Sequence, residues 1–161
     1  WPRWVPPEGF KMYHAIIRAK LRTTFARLNV QDYRAVLAGF APTFEHAFYG
    51  QHALGGVRHT LAATRLWYAR LPRVLPDLQF TVKKIVVSGW PWNTQAAVEW
   101  TDTGVCLDGH RFNNQGVHII TIRWGTLSAV RIYCDTQVLT DCLARNAAQG
   151  LHEAGLPPIE D

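Results

Sequence analysis

Residues 78–135 read LQFTVKKIVVSGWPWNTQAAVEWTDTGVCLDGHRFNNQGVHIITIRWGTLSAVRIYCD. Side chains of a β-strand point alternately to opposite faces, and this stretch is rich in β-branched and aromatic residues with a period near two. It divides at its turn signals into strands over residues 78–88, 94–106, 111–124 and 127–135. The turns are Gly89-Trp90-Pro91-Trp92, Leu107-Asp108-Gly109 and Gly125, and Gly116 reads as a bulge in the third strand. Four strands in sequence with short turns form an antiparallel meander.

Upstream the period changes. Tyr13, Ile16, Ile17, Leu21, Phe25 and Leu28 recur at steps of three and four, with Lys11, Arg18 and Arg22 on the other side, as in an amphipathic helix. Asn29 reads as the N-cap of a short second helix through Tyr33, Val36, Leu37 and Phe40, which must end near Pro42. Residues 43–49 read as a strand and GQHALGG as a loop. A third helix follows over about residues 57–71, broken by Pro72 and Pro76. Asp135 or Thr136 caps a last helix through about Ala148. Residues 1–9 read as an extended Pro/Trp arm, 10–148 as one domain, and 149–161 as a frayed tail. Helices gathered before a meander predict an α+β fold, a curved antiparallel sheet wrapped around N-terminal helices.

Composition bounds the function. With 161 residues, 48% apolar and 18% charged, the chain is one globular domain. No apolar run approaches the roughly 18–20 residues of a membrane span, and WPRWVPPEGF lacks a signal-peptide core. No membrane partner is expected. The net charge of +5 resides in residues 1–34. A basic first helix could face phosphate or an anionic membrane surface, but without an RNA-binding signature it reads as a solvated helix face, not a nucleic-acid surface. Cys106, Cys134 and Cys142 are odd in number and lack CxxC spacing, which predicts reduced thiols and a cytoplasmic location. Neither a metal-ligand spacing nor a phosphate-binding glycine loop occurs, so no metal or cofactor is expected. The 19 aromatic residues exceed what a small core needs, which predicts a cavity lining.

Three segments carry a family resemblance: LNVQDYRAVLAGFAPTFEHAF, GVRHTLAATRLWYARLPRVLPDLQF and NNQGVHIITIRWGTLSAVRIYCDTQ. With the element order, residues 10–145 resemble the nuclear transport factor 2-like superfamily, in its SnoaL-like polyketide cyclase and ketosteroid isomerase branch. The resemblance implies a cone-shaped α+β roll with one deep apolar pocket, a small apolar organic ligand and a homodimer. It places the isomerases' general-base Asp at His46 and their oxyanion-side Asp at His118. Their oxyanion Tyr falls near Thr24, which has no phenol, and the Arg of the epoxide-hydrolase set falls at Trp100 in VEWTD. The cyclases' Asp at the end of the last strand matches Asp135.

His118 shares strand parity with Ile120, Ile122 and Trp124, and His46 with Phe44 and Phe48. Each is either a general base in a dry pocket or a core histidine satisfied by a backbone carbonyl. Asp135 either orients His118 or caps the last helix. Phe48, Trp67, Trp100, Tyr133 and Trp124 are candidate pocket walls, and His52 in the glycine loop could cover the mouth. The expected activity is cofactor-independent acid–base catalysis on a small apolar carbonyl or polyketide-like substrate. A non-catalytic binding or dimerisation module is the alternative.

Overall fold

The computed structural model describes residues 7–161. The expected arm therefore lies mostly outside the described residues. Helix α1 (Glu8–Asn29) is followed by α2 (Tyr33–Leu37), β1 (Phe40–Phe48), β2 (Gly56–Arg58) and α3 (Leu61–Val74). Strands β3 (Gln79–Trp90), β4 (Asn93–Val105), β5 (Arg111–Arg123) and β6 (Thr126–Cys134) precede α4 (Thr136–Ala148) and a 3-10 turn (His152–Gly155). The α+β expectation holds, with one difference in the sheet. It has six strands in the order β2-β1-β6-β5-β4-β3, and β1 pairs with β6 in parallel. The sheet is thus mixed, because β1 returns beside the last strand and not beside its neighbour in sequence.

Alternation along β4 decides which residues face the helices. Thr94, Ala96, Val98, Trp100 and Asp102 are buried on the concave face, while Gln95, Glu99 and Thr103 point to solvent. The β4–β5 register sets Val98 opposite His118, Trp100 opposite Gly116 and Asp102 opposite Asn114. Ile17, Leu21, Phe25 and Leu28 of α1 are buried in the core that this face forms with the helices. Two polar ties fix that helix along β3. His14 Nε2 meets the Gly89 carbonyl at 2.8 Å, and the Asn29 amide exchanges two hydrogen bonds with the Phe80 backbone, at 2.8 and 2.9 Å. Asn29 is thereby occupied, and Asp32 caps α2 by accepting from the Ala35 N–H.

Other boundaries shift for local reasons. The short edge strand β2 begins at the last glycine of the loop and runs through Arg58, so α3 starts later than expected, where the Thr60 hydroxyl accepts from the Ala63 N–H. Pro72 is carried inside the last turn of α3. Gly116 is no bulge, since the β4–β5 register runs through it unbroken. Its role is close approach. An added Cβ would stand 2.3 Å from the Tyr133 carbonyl oxygen and 2.6 Å from the Trp100 indole. Gly116→Ala is accordingly expected to cost about 1–3 kcal/mol in urea unfolding, the range for overpacking a filled core.

The C-terminal segment is not frayed. The Ile159 N–H donates to the Gly55 carbonyl at 3.3 Å and the Asp161 N–H to Val57 at 3.4 Å, so the chain lies along β2. The Asp161 carboxylate accepts from the His59 and Thr60 N–H groups and from the Thr60 hydroxyl. Nor are all thiols reduced: Cys106 and Cys142 form a disulfide, leaving Cys134 free. No motif spacing announces this pair, because strand β5, β6 and half of α4 separate the two cysteines.

Candidate functional site

The concave sheet, α1, α3 and α4 enclose a pocket with a cavity volume of about 40 Å³. Its walls are apolar, including Leu28, Phe48, Leu54, Trp67, Phe80, Ile132 and Leu139. Asp102, Asn114, His118 and Tyr68 are its polar lining residues, with Trp100 and Cys134 beside them. The strand register groups the first three, since Asp102 and Asn114 are directly opposed and His118 lies on the same face of β5.

His118 is held in one protonation state. The Trp100 Nε1–H donates to His118 Nδ1 at 2.7 Å, and burial pushes the imidazole down to about 3. An indole nitrogen can only donate, so Nδ1 is the acceptor and the neutral ring carries its proton on Nε2. His118 is thus a hydrogen-bond donor through Nε2, not a base through Nδ1. Phe25 and Phe80 pack against its ring with centroids 5.1 and 6.4 Å away. Trp100→Phe is expected to leave Nδ1 buried and unpaired, costing about 1–3 kcal/mol. Histidine ¹⁵N shifts would show loss of the single Nε2–H tautomer.

Asp102 has the opposite perturbation. It is buried, its Oδ1 has no hydrogen-bond partner, and burial pushes the carboxyl up to about 7. A carboxyl that ionises near neutrality in a mostly apolar pocket can take and return a proton under physiological conditions. Asn114 is fixed by donating to the Asp135 carbonyl at 3.1 Å and accepting from the Gln115 N–H at 2.7 Å. Burial raises the Cys134 thiol to about 11, so it stays protonated and is no nucleophile at neutral pH.

The other candidates from sequence lie elsewhere. His46 is fully buried behind Trp67 and is absent from the pocket lining. Its Nδ1 accepts from Arg58 Nε–H at 3.1 Å, and burial, with Arg58 and His118 nearby, holds it neutral. Arg58 itself is buried and donates to the Gly55 and Ile159 carbonyls, both at 2.7 Å, which anchors the C-terminal segment. Asp135 is exposed and caps α4, accepting from the Gln137 and Val138 N–H groups. No hydrogen bond joins His46, His118 and Asp135 to one another among the described residues. Phe48, Trp67 and Trp100 line the pocket. His52 packs on Phe48 outside the lining, and Tyr133 lies half exposed against Tyr49. Trp124 sits in the β5–β6 turn, 75% exposed.

Sequence reasoning passed over Asp102 and Asn114. The signal for Asp102 was present in the alternation of TQAAVEWTD, which gives it the same face as Trp100. No three His, Cys, Asp or Glu side chains among the described residues are grouped so as to hold a metal ion. No described helix is long and apolar enough to cross a membrane.

A mixed, curved sheet packed with helices around an apolar pocket that carries a few polar groups defines an α+β roll with a small interior cavity. The chain belongs to the SnoaL-like domain family, which matches residues 21–130. Solved structures share the nuclear transport factor 2-like fold. TerC, co-crystallised with polyporic acid, is 23% identical with a TM-score of 0.65, over 78% of this chain and 95% of TerC. An NTF2-like protein of unknown function from Burkholderia pseudomallei is 17% identical with a TM-score of 0.69, over 78% and 95% of the two chains. A protein from Jannaschia sp. CCS1, provisionally assigned as a SnoaL-like polyketide cyclase, is 19% identical with a TM-score of 0.60, over 74% and 88%. No curated protein matches.

Proposed function

We propose that the chain is a cofactor-independent enzyme that moves a proton beside the carbonyl of a small, mostly apolar, polyketide-like substrate. The observation that carries this reading is Asp102, a buried carboxyl ionising at about 7 with a free oxygen in an apolar pocket. In this mechanism the Asp102 carboxylate takes a proton from the carbon next to the carbonyl. The electron pair moves onto the carbonyl oxygen, where His118 Nε2–H donates a hydrogen bond to the developing enolate. Asp102, now protonated, returns the proton to another carbon, which completes an isomerisation. Alternatively, the enolate carbon attacks a second carbonyl of the same substrate, and the resulting alkoxide oxygen takes the proton from Asp102, which completes an aldol cyclisation. A neutral imidazole is a suitable donor here, because it stabilises the oxyanion without competing for the proton. Trp67, Phe48 and Phe80 exclude water and strengthen both interactions.

The family assignment supports an enzyme of this kind, and the fold neighbour TerC, co-crystallised with polyporic acid, supports a pocket of this fold that takes a small organic ligand. The alternative is a non-catalytic binding module of the same fold, in which the pocket holds a ligand without turnover, and either reading requires the pocket to open. The cavity of about 40 Å³ lies far below the roughly 300 Å³ at which drug-sized pockets begin, so a substrate of that size requires the aromatic walls to part. Solvent exchange separates the two. Incubated in D₂O with small apolar β-diketones, the protein is expected to speed deuteration next to the carbonyl, and Asp102→Asn to remove that acceleration. Ligand-induced tryptophan quenching without any exchange would favour the binding module.

A further inference from the structure

Three tryptophans from two separate turns meet at one end of the sheet. Trp90 closes β3, Trp92 lies in the β3–β4 turn and Trp124 in the β5–β6 turn. Trp90 and Trp92 stack with centroids 5.7 Å apart and planes within 5°, and Trp124 lies 6.3 Å from Trp92. The Trp124 N–H donates to the Pro91 carbonyl at 2.6 Å, tying the two turns together. Despite these contacts the indoles stay 41%, 55% and 75% exposed. Phe10 packs 4.9 Å from Trp90 and joins the cluster to α1, on which Met12 and Ile16 are also exposed.

The backbone presents one of these rings at a cost. Trp124 and Gly125 have φ of +51° and +83°, the two-residue hairpin turn that favours Asn-Gly. An indole gains nothing from that conformation, and it points the ring into solvent.

The basic residues nearest the cluster are Lys11, next to Phe10, and Arg123, next to Trp124; Glu8 is the one acid of α1, and Arg18, Lys20, Arg22 and Arg27 follow farther along the helix. Neither turn contains an acidic residue. Lys11, Lys20 and Arg123 have no carboxylate within ion-pair distance among the described residues. A second copy meeting the same patch face to face would oppose two basic rims, which argues against self-association there.

We propose that this end of the molecule docks on an anionic lipid surface. The indoles enter the headgroup layer, where amphipathic rings are favoured, and Lys11 and Arg123 meet lipid phosphates. This is surface docking and needs no membrane-spanning element. It also leaves the pocket free, because Asp102 lies nine residues along β4 from Asn93, about 30 Å at the rise of an extended strand.

Vesicle sedimentation tests the proposal, with phosphatidylcholine alone compared with phosphatidylcholine mixed with phosphatidylglycerol. The protein is expected to sediment only with the mixed vesicles, to shift its tryptophan emission to the blue, and to be released by high salt. The double variant Trp92→Ser, Trp124→Asn is expected to bind about tenfold or more weakly. Its melting temperature checks folding, because Asn is the residue this turn favours. Equal binding by the double variant, or no binding to the mixed vesicles, overturns the proposal. So does self-association of the wild type that the double variant loses, since the patch would then join two copies.

Discussion

Replacing Asp102 by Asn is expected to remove turnover and also to make the protein more stable above neutral pH. The loss in kcat should be about 10²–10⁴-fold, the usual contribution of a positioned general base. In the wild type, kcat/KM should rise through pH 7 and level off above it, because the base must be ionised and its carboxyl is pushed up to about 7. The stability effect follows from the same burial. An acid held at about 7 in place of its ordinary 3.8 binds its proton more tightly in the folded chain than in the unfolded one. Folding stability therefore falls as pH rises from about 4 to 7, by up to about 4 kcal/mol. Asn resembles the protonated acid and cannot ionise, so the variant escapes that fall. Urea unfolding at pH 8 should show the variant more stable by about 2–4 kcal/mol, with the difference vanishing near pH 4.

The buried histidines give the wild type its acid limit, with the opposite sign. His118, pushed down to about 3, and His46, held well below 6.5, are neutral when folded but protonate readily when unfolded. Each loses stability as pH falls below about 6.5. Between pH 4 and 6.5 the Asp102 contribution runs the other way and offsets one of the two. Asp102→Asn removes that offset, so its stability should decline more steeply with acid than the wild type's. A parallel decline would mean that Asp102 ionises as an ordinary carboxyl, and the proposed base would be lost with it.

Local periodicity carried the fold, and long-range pairing did not. The four meander strands were legible because their side chains alternate over nine or more residues between strong turn signals. Strand β2 has three residues at the end of a glycine-rich loop, too few for any period, and its pairing with β1 depends on contacts beyond the segment. The docking of residues 159–161 on β2 was invisible for the same reason. At the site, parity located His118 correctly on the concave face but failed for Trp124. There the positive φ of the turn breaks the alternation and swings the indole outward. Asp102 was legible as a position but not as a functional group. Its ionisation near neutrality arises from walls contributed by α1, α3, β1, β3 and α4, which no local pattern brings together.

Loss of the Cys106–Cys142 disulfide should be the most destabilising single change outside the pocket. The bridge closes a loop of sequence separation 36, and the chain-entropy relation for such a loop gives about 4 kcal/mol at 25 °C. In a domain of this size that corresponds to a fall in Tm of about 10 °C for Cys142→Ala. Most of the effect should act on the unfolded chain, because α4 keeps other anchors in the folded state. Asn146 accepts from the Leu107 N–H at 2.7 Å and donates to the Val74 carbonyl at 2.8 Å, and Arg145 pairs with Asp108 at 2.8 Å. The pocket wall at Leu139 should therefore persist in the variant at low temperature, with ligand-induced quenching retained while Tm falls. Both cysteines are buried, at 2% and 1% exposure, so reductant reaches them chiefly through unfolding. Thiol titration of the denatured, unreduced protein should count one cysteine, Cys134, and three after reduction. A persistent bridge fits an oxidising environment. Three thiols before reduction would instead mean that Cys106 and Cys142 pack as a reduced pair, and the Tm of Cys142→Ala should then fall only by the small loss of a buried sulfur.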